Sequence, residues 1–592
     1  MHALASLAVG CRVLVALYTR TFFQPDEYFQ ALEPAYHAVF GYGHLTWEWL
    51  APQPIRSIIY PAINIPIYWL LKVTTLADAG RFGDWLLIAC PKILHGALAA
   101  CTDIYIADIA RTMLGNEYSS LAMLLSLTSM FNALALSRSL SNSLETSLTT
   151  IAFAFYPWDA SDKLSPHVLF NRPKLRKFIA FSALACMIRP TNVIIWIYLY
   201  ANLIFAVRKY PKVACAIILD TLAIGSSTLC FMAFTDSLYY GRLTFTPLNF
   251  LKANASSISL FYGNNSHHYY ITQAIPILLT TALPFTLHGM WMTIRAPDQR
   301  NTSLQTMLIT IAWTVAIYSF AGHKEWRFIH PILPLLHIFA AKSLISLSYE
   351  PVRMSTKGCK TGGRITRWRP KATPAERTFL HRVFGLPDIP AKYLNLLLAT
   401  LPVAFYVVVL YCSGPISVLS YIRSIPRHEL KQVSIGFLTP CHSTPGHAYL
   451  HRPELANGAL WSLGCEPPLE NEDLSTYMDQ TTVFFRAPRK YLETYFPPRV
   501  DQSFPYSPFP ASIPGTPSPS TASSMSRQLD YPWRHEWPTH LVFFGDLLRQ
   551  EGVKELLKEK GYGEVWKGGR SWEGEDERKG GVKVWRWSPH NA

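Results

Sequence analysis

An all-α protein that crosses a membrane about eleven times, with a small α+β region at its C-terminal end, is the fold class this sequence predicts. Three observations predict it. Of 592 residues, 49% are hydrophobic and only 16% charged, where soluble domains carry about a quarter. Apolar stretches near spanning length recur from the N-terminus to about Tyr411 and then stop. Aromatic residues make up 13% of the chain, which excludes disorder as its general state. A soluble enzyme of this length would divide into several domains with charged surfaces.

The spans are expected at roughly 3–20, 85–110, 118–136, 140–158, 178–188, 190–207, 213–235, 270–296, 305–321, 328–348 and 393–412. Segment 55–77 is also apolar but contains Pro61 and Pro66, so it either spans or lies against the membrane surface. Residues 3–9 lead into Cys11, Arg12 and Leu14 without a cleavage-like polar break, so the first run reads as an uncleaved span rather than a signal peptide.

Positive charge sets the orientation. The basic clusters Arg172/Lys174/Arg176/Lys177, Arg208/Lys209/Lys212 and Arg295/Arg300, with loop 351–392, fall on one side if 178–188 and 190–207 both cross and 55–77 does not. Loop 351–392 alone holds ten Lys/Arg against two acids, so it supplies most of the net charge of +15. That makes the charge a topology signal and argues against nucleic-acid binding, which needs a basic stripe with stacking platforms. The basic side is then cytoplasmic. Segments 21–84, 236–269, 322–327 and everything after 412 lie on the opposite side.

The expected organisation is a membrane domain 1–412 with a first loop 21–84 and the basic insertion 351–392. A domain 413–501, a Ser/Pro-rich linker 502–526 and a C-terminal segment 527–592 follow. Five of the ten cysteines (Cys90, Cys101, Cys186, Cys215 and Cys230) sit singly in apolar stretches as small buried hydrophobes. Cys441 and Cys465 lie in the tail, where an oxidising compartment would join them. No CxxC or HExxH occurs, so no metal site is indicated. The sequons Asn254-Ala-Ser and Asn264-Asn-Ser fall in a loop placed outside the cytoplasm.

Chemistry concentrates in two places. After the first span come Pro25-Asp26-Glu27-Tyr28, then Tyr42-Gly43-His44-Leu45-Thr46-Trp47-Glu48-Trp49, then Ile55-Arg56-Ser57. Pro25 suits the first position of a helix, and Asp26 and Glu27 beyond it diverge by about a third of a turn, so they address different partners. The plain alternative is an acidic pair complementing a helix dipole. The second place is the turn His323-Lys324-Glu325-Trp326-Arg327, with more ionisable groups than membrane anchoring needs and a composition fit to hold a phosphate. Arg189-Pro190 caps another turn. Arg138 and Glu145, seven apart, would pair on one helix face. Asp103 and Asp108, within an expected span, are functional candidates because intramembrane acids are costly.

Taken together and in order, these motifs resemble the dolichyl-phosphate-mannose-dependent α-mannosyltransferases of the endoplasmic reticulum, glycosyltransferase family 22, which have a GT-C fold. Three further stretches, Gly241-Arg242-Leu243-Thr244-Phe245-Thr246-Pro247-Leu248-Asn249-Phe250-Leu251-Lys252, Pro440-Cys441-His442-Ser443-Thr444-Pro445 and Pro538-Thr539-His540-Leu541-Val542, resemble the branch that adds the third mannose of the glycosylphosphatidylinositol (GPI) core. The likeness covers about 20–345 and 393–490, with a patch near 538–545. Loop 351–392 and segment 502–526 look like insertions, and Trp326 stands where the family usually has Phe.

The resemblance implies an inverting α-1,2-mannosyltransferase that uses dolichyl-phosphate-mannose as donor and a GPI glycolipid as acceptor, with no cofactor and no metal. Asp26 would be the general base, with Glu27 beside it. His323, Lys324 and Arg327, with Arg56 and Arg189, would hold the donor phosphate. Tyr28, Trp47, Glu48 and Trp49 would contact sugar, unless the aromatics form an interfacial belt. The site and the C-terminal region would face the lumen of the endoplasmic reticulum. Two alternatives remain at this level: a sibling enzyme acting on the lipid-linked N-glycan precursor or adding a fourth GPI mannose, and a lipid or sugar transporter. The transporter would require mid-membrane charges and repeat symmetry, and no repeat is visible.

Overall fold

The computed structural model describes residues 2–159, 171–255, 261, 263–295, 302–354, 365–370, 384–456, 458–468, 477–507 and 533–589. Much of loop 351–392 and most of segment 502–526 lie outside the described residues. Helices form over each expected span, but among the described residues five stretches are long and apolar enough to cross a bilayer: Gly80–Met113, Pro211–Tyr240, Tyr270–Arg295, Trp326–Ser348 and Ala391–Ser424. Other helices are shorter, such as Asn116–Thr128 with 13 residues, about 20 Å of rise. Segment 55–77 resolves into Ile59–Ala62 and Ile65–Val73, split near its prolines, and neither is long enough to cross.

Burial separates the middle of the helical bundle from its lipid face. The apolar window of Trp326–Ser348 is 89% buried and that of Pro211–Tyr240 only 11%, so the first is central and the second peripheral. Leu219, Leu222, Phe231, Phe234 and Leu238 point outward from the peripheral helix, as hydrocarbon surroundings permit. At the centre, a Cβ on Gly289 would come within 2.0 Å of the Phe339 carbonyl oxygen, so only glycine lets those two helices touch.

The intramembrane acids are structural. Asp103 accepts from Arg12 Nε at 2.7 Å and Nη2 at 2.8 Å, both side chains being buried, and Asp108 pairs with Arg111 one turn on. Neither lines the cavity of the candidate site. The expected Arg138–Glu145 pair does not form, because the chain is extended at Leu140 and the helix begins only at Ser141. Arg138 bonds Glu27 and Glu145 bonds Arg189 instead.

Strands β1 (Tyr349–Met354) and β2 (Ile365–Pro370) form an antiparallel hairpin. The C-terminal region is a five-stranded sheet made of β3 (Ile435–Phe437), β4 (Leu460–Ser462), β5 (His540–Phe544), β6 (Tyr562–Gly568) and β7 (Val582–Trp587). Its order is β4-β3-β5-β7-β6, with β3 parallel to β4 and β5 and the remaining pairs antiparallel. The division into 413–501 and 527–592 therefore does not describe folding units. Strand β5, fully buried, lies between β3 and β7 and joins both segments into one core with Phe484, Tyr491, Leu557 and Trp585. Cys441 and Cys465 form a disulfide beside this sheet.

That region is fastened to the first loop. Glu33, completely buried, accepts the backbone N–H of His44 at 2.9 Å and of Ala448 at 2.6 Å. A Cβ at Gly446 would come within 2.7 Å of the same carboxylate, so glycine is required for the approach. Arg452 forms a two-point ion pair with Asp84 at 2.8 and 2.9 Å.

Burial pushes Glu33 up to about 7, against the pull of the backbone donors of His44, Ala448, His447 and Gly446. Its folded value lies above its unfolded one, so its stabilising share is full below about 4.5 and is lost as pH rises through 7, on the order of 3 kcal/mol in all. Buried His447, pushed down to about 3, works the opposite way, losing stability as pH falls below its ordinary value. Comparison with Glu33→Gln isolates the carboxylate: between pH 5 and 7.5 the variant should gain in melting temperature relative to wild type. Parallel pH profiles for the two proteins would refute the account.

Candidate active site

The loop after the first span turns into a helix at Pro25, whose carbonyl accepts from the backbone N–H of Tyr28 at 2.9 Å and of Phe29 at 3.0 Å. Asp26 and Glu27 consequently diverge, as adjacent helical positions must. Asp26 accepts from Arg327 Nη1 at 2.6 Å and remains 18% exposed. Glu27 is buried against Arg138 at 3.0 Å, and Arg138 also donates to the Thr21 carbonyl and hydroxyl at 2.7 Å each. Its position is therefore that of a scaffold group, and the expectation that it shares the chemistry with Asp26 does not fit this geometry.

Arg327 is held on its other edge by Glu325, with Nε at 2.7 Å and Nη2 at 2.8 Å, and His323 Nε2 lies 3.1 Å from the same carboxylate. Burial raises the Glu325 carboxyl, but Arg327 and His323 outweigh it and hold the group well below the usual range. The result is a continuous line of paired groups, His323–Glu325–Arg327–Asp26. Lys324 is not in it: its ammonium is buried on the Asn265 carbonyl at 2.7 Å, while Asn265 Nδ2 donates to the Lys324 carbonyl. Lys324 thus fastens two loops together.

A cavity open at its mouth, about 560 Å³ when the solvent in that mouth is included, lies beside this line, with Arg56, Arg189, Gln30, Tyr60, Met232 and Phe250 in its wall. Arg56 donates Nε at 2.9 Å and Nη2 at 2.6 Å to Glu48, whose other oxygen accepts from Gln30 Nε2 at 3.1 Å. Arg189 pairs with Glu145 through Nε at 3.2 Å and donates Nη1 to Ser141 Oγ at 3.1 Å. Nη1 of Arg56 and Nη2 of Arg189 have no hydrogen-bond partner among the described residues. The Phe328 ring lies 5.3 Å from Arg189 and 5.7 Å from Arg327, bridging the cavity and the line of paired groups.

The Arg56 segment is fixed from behind by the end of helix Pro211–Tyr240 and the residues after it. Asp236, fully buried, accepts from Ser57 Oγ at 2.8 Å, the Ile58 N–H at 3.0 Å and Thr246 Oγ1 at 2.6 Å. Tyr240 donates to the Arg56 carbonyl at 2.7 Å, and Asn249 to that of Pro54 at 3.0 Å.

The aromatic residues expected to meet sugar are buried. Tyr28, Trp47 and Trp49 retain 1%, 8% and 3% of their exposure. Tyr28 stacks on Phe22 and meets Tyr449 edge-on, while Trp49 donates to the Phe29 carbonyl at 3.0 Å. They are core residues, and Trp49 satisfies its indole N–H within that core. Glu48 serves Arg56 and Gln30. Of the expected site residues, then, the structure gathers Asp26, Arg327 and His323 in one line and Arg56 and Arg189 around the adjoining cavity.

Sequence reasoning named Glu325 within the turn without giving it a role, and overlooked Asp236, Gln30 and Tyr60. Asp236 carries the same signal as Asp103, an acid at the end of an apolar run. Gln30 and Tyr60 carry no signal short of the fold.

A model of the Alg9-like mannosyltransferase family matches residues 4–451. The chain is 32% identical to a Yarrowia lipolytica protein named GPI mannosyltransferase 3, covering 93% of this chain and 90% of that one. It is 31% identical to GPI alpha-1,2-mannosyltransferase 3 of Xenopus laevis, over 83% and 79%. Among solved structures, ArnT from Cupriavidus metallidurans in the apo state superposes with a TM-score of 0.53 at 11% identity, over 99% of this chain and 97% of that one, a likeness of fold.

The division between the two acids is testable. Glu27→Ala leaves the buried Arg138 charge unpaired and should cost about 3–5 kcal/mol, seen as a lowered melting temperature and yield in detergent. Asp26→Asn should leave both near wild type. Equal thermal losses for the two variants would contradict the assignment.

Proposed function

The chain belongs to the Alg9-like mannosyltransferase family, and within it we propose that the protein transfers the third mannose of the GPI core, in α-1,2 linkage, from dolichyl-phosphate-mannose. The relatives named for this activity in fungi and vertebrates, matched along most of their length, support the choice of acceptor and linkage. The observation that carries the chemistry is the 2.6 Å contact between Asp26 and Arg327 beside a cavity holding two partly unoccupied guanidinium groups.

The acceptor hydroxyl attacks the anomeric carbon of mannose on the face opposite the phosphate, so a β-linked donor gives an α-linked product. Asp26, still partly exposed, takes the hydroxyl proton as the new C–O bond forms. Arg327 fixes the direction of its carboxylate, and Glu325 fixes Arg327. The bond that breaks leaves its electron pair on the polyprenyl phosphate. The open Nη1 of Arg56 and Nη2 of Arg189 receive that charge, each guanidinium being already oriented by a carboxylate. This moves the phosphate role from the His323–Lys324 turn to the cavity wall. The polyprenyl chain stays in hydrocarbon against the outward apolar face of helix Pro211–Tyr240.

The site and the C-terminal sheet share one side, since Glu33 and Arg452 bind the sheet region to the first loop. With the basic loop 351–392 cytoplasmic, that side is the lumen of the endoplasmic reticulum.

In cells lacking the third GPI mannose, the wild-type chain should restore it and Asp26→Asn should not, with accumulated intermediates read by mass spectrometry. Correction of a different glycolipid would refute the acceptor. In membranes, Arg56→Ala and Arg189→Ala should each raise the donor KM about tenfold or more, while Lys324→Ala should lower the amount of folded protein with the donor KM retained. The reverse pattern would return the phosphate to the turn.

A further inference from the structure

Two residues of the Arg56–Arg189 cavity wall each carry a buried polar atom with no hydrogen-bond partner among the described residues. Gln30 Oε1 and Tyr60 Oη are both cut off from solvent without a hydrogen-bond partner, and both residues line the cavity. Burying such an atom unpaired costs about 1–3 kcal/mol, so two of them at one cavity ask for a ligand that relieves the cost.

The chemistry of each atom is set by its neighbours. Glu48 accepts from Arg56 Nε and from Gln30 Nε2. It therefore holds the Gln30 amide with its nitrogen inward and leaves the carbonyl oxygen as a fixed acceptor. Tyr60 follows Ser57 and Ile58, which Asp236 anchors, so its backbone has little freedom. Burial, with Glu27 and Asp26 nearby, pushes its hydroxyl well above the ordinary phenol range, so it stays protonated and able to donate. The residues of the cavity wall thus include one carrying an unpaired acceptor and one an unpaired donor, beside apolar side chains such as Met232 and Phe250. Neighbouring hydroxyls of a hexose, which both donate and accept around an apolar ring face, match that arrangement.

We propose that Gln30 and Tyr60 recognise hydroxyls of the donor mannosyl group and set the sugar specificity of transfer. The inference rests on the function proposed above. The donor sugar is favoured over the acceptor sugar because the same cavity carries Arg56 and Arg189 for the adjoining phosphate.

The test uses the full-length protein in detergent, with a short-chain polyprenyl-phosphate-mannose and a set of donors each lacking one sugar hydroxyl. Wild type should lose about tenfold or more in kcat/KM on at least one of these donors. Tyr60→Phe should lose a similar factor with the intact donor and nothing further with the donor that lacks its hydroxyl partner. Gln30→Leu should behave likewise toward a second hydroxyl. Because Tyr60→Phe removes an unpaired buried group, its melting temperature should be unchanged or raised.

Equal fractional losses with every donor, a melting temperature that falls with activity, or coupling to a modified acceptor in place of the donor would each overturn the assignment. If wild type transfers no mannose from the intact donor, the functional reading itself falls, and this assignment with it.

Discussion

The contact between Asp26 and Arg327 spans 301 residues of sequence, and the arrangement of the site follows from it. One partner opens the helix that leaves the first span. The other begins Trp326–Ser348, the most deeply buried of the five spanning stretches. Joining them brings the first loop to the end of the central helix. Arg327 can hold this position because its remaining edge is filled by Glu325, so its three nitrogens are shared between two carboxylates. A lysine would supply the charge without the two-edged geometry.

The same logic recurs around the cavity. Arg56 is oriented by Glu48, Arg189 by Glu145 and Arg138 by Glu27. A guanidinium in a partly dry site needs a counter-ion to be there at all. Where the pairing leaves an N–H directed into space, as in Arg56 and Arg189, the group remains able to bind an anion. Where every edge is filled, as in Arg138, it is structural. That distinction, and not the presence of positive charge, separates the binding arginines from the holding ones.

Support for the first loop comes from regions far from it in sequence. Asp236 and Tyr240, at the end of the peripheral helix, fix the strip that carries Arg56. Glu33 and Asp84 take bonds from the C-terminal region, whose sheet has its own core and a disulfide that pins the turn facing Phe29. The first loop is thus clamped between a membrane helix and a sheet. This accounts for how a segment of short helices holds Asp26 and Arg56 at defined positions.

By itself the sequence determined the class of molecule, the places where helices run, the strongly basic loop and the two motifs that hold Asp26 and Arg327. Each of these depends on composition or on residues close together in the chain. It also placed Asp26 and Glu27 on different partners, because helical geometry over two positions is local. Only the tertiary structure decided which partner each one took, that Lys324 fastens a loop, and that Tyr28, Trp47 and Trp49 are core. Only it showed that 413–501 and 527–592 share one sheet, since pairing a strand across so long a gap leaves no local trace. The Arg138–Glu145 expectation failed for the same reason, as a seven-residue spacing has meaning only on an unbroken helix and Leu140 breaks it. Gln30 and Tyr60 became visible last, because an unpaired polar atom is defined by what surrounds it and not by its own identity.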